Sequence, residues 1–143
     1  MSLGLYLHIP YCFSKCRYCD FYSHPGERGV PDAYVDALLR ELSRFAPEAP
    51  LQPDTLYFGG GTPSLLRPEQ AKRLIDAARP MPGAEITLEA NPETVTEESL
   101  AGFREAGVNR ISFGVQSARD TQLRTLGRPH TAKQARAAFA AAQ

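Results

Sequence analysis

Three cysteines, Cys12, Cys16 and Cys19, are the only ones in the 143-residue chain. An odd and crowded set makes a poor disulfide framework, and in a reducing compartment such a set more often binds metal. Thiolates hold iron–sulfur clusters, and a cubane contains four irons. Three thiolates therefore leave one iron without a protein ligand, and an open position is what a metal centre needs to bind a substrate directly. The competing reading is a structural zinc site with His8 or His24 as the fourth ligand. Against it, Cys-x-x-x-Cys running into Cys-x-x-Cys is an unusual zinc spacing, and no second cysteine pair exists.

Other residues with chemical potential sit at intervals further on. Gly59-Gly60-Gly61-Thr62-Pro63 lets a backbone approach a ligand closely and adopt positive φ. Its spacing fits neither a dinucleotide fingerprint nor a phosphate-binding loop, and alone it reads as a strand-to-loop turn. Glu89 can accept hydrogen bonds from hydroxyls or an amine, or form a surface salt bridge. Gln116 can donate and accept, or cap a loop. Arg128 can grip a carboxylate with two parallel bonds, or be solvated as most arginines are.

The elements that must position these groups follow from periodicity. Leu3–Ile9 is expected as a buried strand stopped by Pro10. Pro31 opens a helix with Val35, Leu38, Leu39, Leu42 and Phe45 facing inward. Thr55–Phe58 is a second strand, and Pro68 begins a helix that buries Ala71, Leu74, Ile75 and Ala78. Glu85–Glu89 is a third strand. Thr96 caps a helix with Leu100, Phe103 and Ala106 inside, and Gly107 stops it. Arg110–Val115 is a fourth strand. A last helix starts near Thr131 and carries Ala135, Ala138, Phe139 and Ala142. Segments 23–29 and 47–53 are expected loops.

Strands alternating with helices imply an α/β fold with a parallel sheet. Four such units make half of an eight-stranded barrel, and a half barrel leaves an unpaired sheet edge. Residues 1–143 are accordingly expected to be the N-terminal part of a longer barrel domain. In parallel barrels the loops after the strands build the active site. The cysteines follow strand one, the triple glycine follows strand two, Glu89-Ala90-Asn91-Pro92 ends strand three and Gly114-Val115-Gln116-Ser117 ends strand four.

Composition narrows the field. Hydrophobic residues make up 43% and charged residues 22%, with net charge zero, an ordinary globular mixture. No broad positive field exists to select nucleic acid or an anionic membrane. No apolar run is long enough for a transmembrane segment, and the first residues lack the regions of a signal peptide. The expected location is the cytoplasm.

With these residues in view, Cys12-x-x-x-Cys16-x-Tyr18-Cys19 resembles the signature of the radical S-adenosylmethionine (SAM) superfamily, in which an aromatic residue precedes the third cysteine. The resemblance implies a [4Fe–4S] cluster on Cys12, Cys16 and Cys19, with SAM on the open iron. In that family the reduced cluster cleaves SAM to methionine and a 5′-deoxyadenosyl radical. Tyr6-x-His8-Ile9-Pro10-x-Cys12, Tyr57-Phe58-Gly59-Gly60-Gly61-Thr62-Pro63, Glu89-Ala90-Asn91-Pro92 and Gly114-Val115-Gln116-Ser117 are more narrowly similar to the oxygen-independent coproporphyrinogen III oxidase-like group. By that likeness Tyr6, Gly60 and Glu89 would contact the cluster-bound SAM. Tyr18, Gly61, Thr62, Gln116 and Arg128 occupy positions that contact a second SAM in the coproporphyrinogen enzyme.

One position departs from the group. The coproporphyrinogen dehydrogenase carries a further cysteine where this chain has Phe21, and Cys19-Asp20-Phe21 looks like the HemW-type heme chaperones. Three functions are thus in competition. The first is a heme-handling radical SAM protein, whose partners would be heme or porphyrin, a heme-accepting protein and an electron donor. The second is the dehydrogenase itself, which decarboxylates propionates of coproporphyrinogen III to vinyl groups. The third is a zinc-stabilised binding module. His8, His24 and His130 are heme-ligand candidates only in the loosest sense, since a packed or solvated histidine explains each. Anaerobic reconstitution is expected to load about four irons per chain. Cys12→Ala, Cys16→Ala and Cys19→Ala should each abolish that loading; a full cluster in all three variants, or stoichiometric zinc with no iron uptake, would refute the assignment.

Overall fold

The computed structural model describes residues 2–45 and 50–143. Of the loop expected over 47–53, residues 47–49 lie outside the described residues, as does Met1.

Four parallel strands form the main sheet: β1 (Gly4–Ile9), β4 (Thr55–Gly60), β5 (Glu85–Ala90) and β6 (Arg110–Phe113), side by side in that order. Two short strands, β2 (Tyr11–Cys12) and β3 (His24–Pro25), pair with each other. The helices are α1 (Asp32–Phe45), α2 (Pro68–Ala78), α3 (Glu97–Ala106), α4 (Asp120–Leu126) and α5 (Ala132–Ala141). The expected α/β alternation is therefore present.

Alternation along each strand splits the sheet into two chemically distinct faces. Leu7, Ile9, Leu56, Phe58, Ile86 and Leu88 point to the side where Val35, Leu42, Ala71, Leu74, Ile75, Ala78 and Phe103 of the helices cover them. The intervening residues face the other way. Register aligns Tyr6 with Tyr57, Tyr57 with Thr87, and Thr87 with Arg110, forming one row across all four strands. The covered face is hydrocarbon; the other face is aromatic and polar, as the interior of a functional barrel would be.

The helix ends follow their local chemistry. Thr96 accepts a bond from the Ser99 amide at 3.1 Å and Thr131 one from the Gln134 amide at 3.2 Å, satisfying amides that a helix start leaves without partners. At α2 the missing cap hydroxyl is replaced by Gln70, whose Oε1 accepts from the Arg67 amide at 2.9 Å. Gln70 is almost fully buried, and its Nε2 donates to the Val30 carbonyl at 2.9 Å and to Asp32 at 2.8 Å. One amide thus ties the start of α1 to the start of α2.

Several expectations need correction. Phe45 and Phe139 are exposed, 76% and 59%, although both fall on helical spacing with the core residues. Phe45 ends α1, past the turns that pack on the core, and α5 packs chiefly on residues 92–94 and on α3, which leaves Phe139 uncovered. The fourth strand ends at Phe113, not Val115: the Ser117 amide turns back to the Val115 carbonyl and Gln116 takes a left-handed conformation. β3 lies inside the expected loop 23–29. It forms because the chain returns to close the base of the cysteine loop, with the His24 amide donating to the Pro10 carbonyl and the Glu27 amide to the Cys12 carbonyl. α4 carries no periodic signal in the sequence, since in seven residues it buries a single large side chain, Leu123.

Gln70→Leu is expected to destabilise the fold by about 1–3 kcal/mol, the cost of leaving the Val30 carbonyl and Arg67 amide without partners. The loss should itself depend on pH. The Gln70 bond first, and Arg67 second, hold the Asp32 carboxyl below its ordinary 3.8. That contribution is present above the ordinary value and is lost as pH falls through the folded one. The gap in melting temperature between wild type and Gln70→Leu should therefore narrow in acid.

Candidate functional site

The three cysteines share one loop, closed at its base by β2 and β3 and tightened inside by the Cys19 amide, which donates to the Cys16 carbonyl at 3.1 Å. Cys12 is buried, whereas Cys16 and Cys19 are half-buried, and all three are free thiols. Cys12 owes its burial to the triple glycine. The Gly61 amide donates to the Ile9 carbonyl and the Thr62 amide to the Tyr11 carbonyl, so the segment after β4 lies directly on β2. A Cβ at Gly61 would stand 2.6 Å from the Tyr11 carbonyl oxygen and 3.0 Å from Cys12 Sγ. Only glycine permits that approach.

These groups line a cleft of about 300 Å³ at the C-terminal edge of the sheet. Of the residues singled out in the sequence, Cys12, Cys16, Cys19, Tyr18, Gly60, Gly61, Thr62, Glu89, Gln116 and Arg128 all lie on its wall. Phe21 joins them, 68% exposed. Tyr6 sits apart on the open face of β1, its ring stacked on Tyr57 with centroids 6.0 Å apart and its hydroxyl 3.1 Å from His8 Nδ1.

Glu89 is not in a surface salt bridge. It accepts from the Tyr57 hydroxyl at 2.7 Å and from the Gly60 amide at 3.2 Å. Burial, then the bond to Glu89, raises the Tyr57 phenol above its ordinary 10, so it stays protonated and donating throughout the neutral range. Burial likewise raises Tyr18, against the lowering pull of the Arg128 charge. Arg128 is not solvated either: it is buried, donates from Nη1 to Cys16 Sγ at 3.2 Å and from Nη2 to Asn91 Oδ1 at 2.7 Å, and also reaches the Gly114 carbonyl.

Of the histidines, His130 is spent on structure, with Nδ1 3.0 Å from Glu93 and Nε2 3.1 Å from the Val115 carbonyl. His8 has Tyr6 on one ring nitrogen and the Tyr22 carbonyl, at 3.2 Å, on the other. His24 is exposed and lies against the rings of Tyr11 and Tyr22. Among the described residues, no three His, Cys, Asp or Glu side chains already converge on one point. The thiols nonetheless suit a thiolate-bound cluster in donor type and in shared access to one cleft. Sequence reasoning passed over Tyr57 and Asn91 as site residues, although both stand inside quoted motifs. Their roles depend on neighbours from other strands.

Residues 6–143 match the model of the radical SAM superfamily. The chain belongs to that superfamily. Membership implies a [4Fe–4S] cluster and SAM as its cofactors. The chain is 46% identical over 142 residues to the heme chaperone HemW of Escherichia coli (strain K12), covering 95% of this chain and 38% of that protein. It is 43% identical to the heme chaperone HemW of Mycobacterium tuberculosis, covering 94% and 37%. The chain thus spans well under half the length of these relatives. Among solved structures it resembles the Escherichia coli coproporphyrinogen III oxidase HemN, a radical SAM enzyme, with TM-score 0.87 and 31% identity over 99% of this chain and 34% of that one. A cobalamin-dependent SAM radical enzyme, OxsB, shares the fold at TM-score 0.63.

Gly60 offers a direct test of the site's geometry. Its φ is +120°, and a Cβ there would meet the His8 ring at 2.7 Å. Gly60→Val should displace His8 and the Glu89 contact, and so weaken the change that SAM makes in the electron paramagnetic resonance spectrum of a reduced cluster. Tyr57→Phe removes one hydrogen bond to a carboxylate, worth about 1.5–3 kcal/mol. It should weaken SAM binding roughly tenfold or more while leaving iron content unchanged. Wild-type SAM responses in both variants would detach Glu89 and the glycines from SAM binding.

Proposed function

We propose that this chain is the N-terminal part of a radical SAM core domain in which Cys12, Cys16 and Cys19 hold a [4Fe–4S] cluster, and that the protein is a heme chaperone. The observation that carries the cluster site is convergence: three strand-end motifs, far apart in sequence, share one cleft with all three thiols of a fourth. Cys12, Cys16 and Cys19 would hold the cluster, which when reduced would supply the electron that SAM cleavage requires. The chain's own contribution is to present Gly60 and the Tyr57-supported Glu89 carboxylate to that SAM, and to keep the thiols partly covered, Cys12 beneath Gly61. Tyr6, though outside the cleft wall, stacks on the same Tyr57 and would meet the ligand from the open face of the sheet. Tyr18, Thr62, Gln116 and Arg128 ring the rest of the mouth, where a second SAM or a porphyrin edge would lie. Three free thiols fit the reducing environment of the cytoplasm. A heme-accepting protein and a one-electron donor complete the scheme.

The fold likeness to HemN supports a second reading, turnover of coproporphyrinogen III. Phe21 opposes it. A thiol can donate a hydrogen atom, a proton or a ligand bond, and a phenyl ring can do none of these. Phe21 lies exposed on the cleft wall, so the substitution is at the site and not in the core.

The deciding experiment is an anaerobic assay of the full-length protein with reduced cluster, SAM and coproporphyrinogen III, alongside a heme-binding titration. Heme retention without protoporphyrinogen formation is expected. Steady formation of protoporphyrinogen IX would overturn the chaperone reading, and Phe21→Cys alone should not create that activity because the substrate pocket must also fit.

A further inference from the structure

A hydrogen-bond chain runs between two of the cysteines through the segments that follow β4, β5 and α4. Arg128 Nη1 donates to Cys16 Sγ at 3.2 Å, and its Nη2 donates to Asn91 Oδ1 at 2.7 Å. Asn91 Nδ2 donates to Thr62 Oγ1 at 3.2 Å, and the Thr62 hydroxyl donates to Cys12 Sγ at 3.5 Å. The direction of the chain is set by its hub. A guanidinium can only donate, so Asn91 must turn its oxygen toward Arg128 and its amide hydrogens toward Thr62. Thr62 then has its lone pair engaged and its hydroxyl hydrogen free for sulfur. Both branches end in a donor aimed at a cysteine.

The hub is also a buried charge without an opposite charge of its own. Arg128 is 8% exposed, and its acceptors are a thiol sulfur, an amide oxygen and a backbone carbonyl. Its Nε has no partner among the described residues, and no carboxylate there is paired with it. Burying a cation this way is costly unless a negative charge lies close by. A cluster held by three thiolates is anionic and becomes more so on reduction. Hydrogen bonds to cluster sulfurs and local net charge are two of the terms that set the potential of an iron–sulfur centre.

We propose that Arg128, Asn91 and Thr62 are positioning residues that raise the reduction potential of the cluster, through two donors to its cysteine sulfurs and one buried positive charge. This rests on the cluster assignment above. It gives Arg128 and Thr62 a role that operates before any SAM is bound. The backbone supports the same contact, since the Arg17 amide donates to the Leu126 carbonyl at 3.1 Å and so fastens the cysteine loop to the segment that carries Arg128.

The test is a redox titration of the anaerobically reconstituted full-length protein without SAM, following the reduced-cluster signal by electron paramagnetic resonance. Iron content is measured on every sample, and absence of a cluster in the wild type would refute the assignment, not this inference alone. Thr62→Val removes the hydroxyl donor at nearly constant shape, Thr62→Ser restores it, and Arg128→Met removes the hub. With iron at wild-type stoichiometry, Thr62→Val and Arg128→Met should each shift the potential to more negative values, Arg128→Met the further, and Thr62→Ser should return it to that of the wild type. Unchanged or less negative potentials in Thr62→Val and Arg128→Met would overturn the proposal. If Arg128→Met takes up no iron, Arg128→Gln and Thr62→Val carry the same readout. Loss of the cluster in all of these, with circular dichroism unchanged, would replace it with a purely structural role.

Discussion

Everything at the site depends on the parallel register of four strands. Because β1, β4, β5 and β6 all run the same way, their C-terminal ends meet at one edge, and each following segment is delivered to the same small volume. Helices α1, α2 and α3 take one face of the sheet and supply the apolar burial that holds the register. That leaves the opposite face free to carry Tyr6, Tyr57, Glu89 and Arg110 at little cost to the core. Slipping any strand by one residue would exchange the two faces, putting Glu89 into hydrocarbon and Leu88 into the cleft.

Within that frame the cysteine loop is held by contacts from outside itself. Its base is closed by β2 and β3, its first thiol is covered by Gly61 and Thr62, and its second is gripped by Arg128. The loop therefore reports on the whole sheet edge. A disturbance at Asn91, which touches neither thiol, would reach Cys12 through Thr62 and Cys16 through Arg128. The surroundings of a ligand set its orientation and its electronic properties as much as the ligand atoms do. Here those surroundings are drawn from the segments that follow β4 and β5 and from the turn after α4.

The order of elements was legible because its signals are local and periodic. Leu74, Ile75 and Ala78 recur at helical spacing and are buried as that spacing requires; Thr96 and Thr131 cap helices as threonine does elsewhere. Phe45 and Phe139 share the same periodicity and are exposed, because periodicity says which side of a helix a residue lies on and not how far a covering element extends along it. The pairing of β2 with β3 had no pattern to betray it, being two residues long and made by backbone atoms.

By itself the sequence determined the chemistry available: three clustered thiols, glycines where a backbone can be approached, a carboxylate at a strand end, an amide and a guanidinium beyond the fourth strand, and a phenyl ring at position 21. Those are matters of residue type and spacing, and spacing along one strand or loop is preserved on folding. The tertiary structure alone decided partnership. That Glu89 is held by Tyr57, that Arg128 is buried on Cys16 instead of solvated, and that Asn91 joins it to Thr62 are relations between residues 29 to 112 positions apart. Such contacts exist only once the sheet register has brought the strand ends together, and no local pattern encodes them.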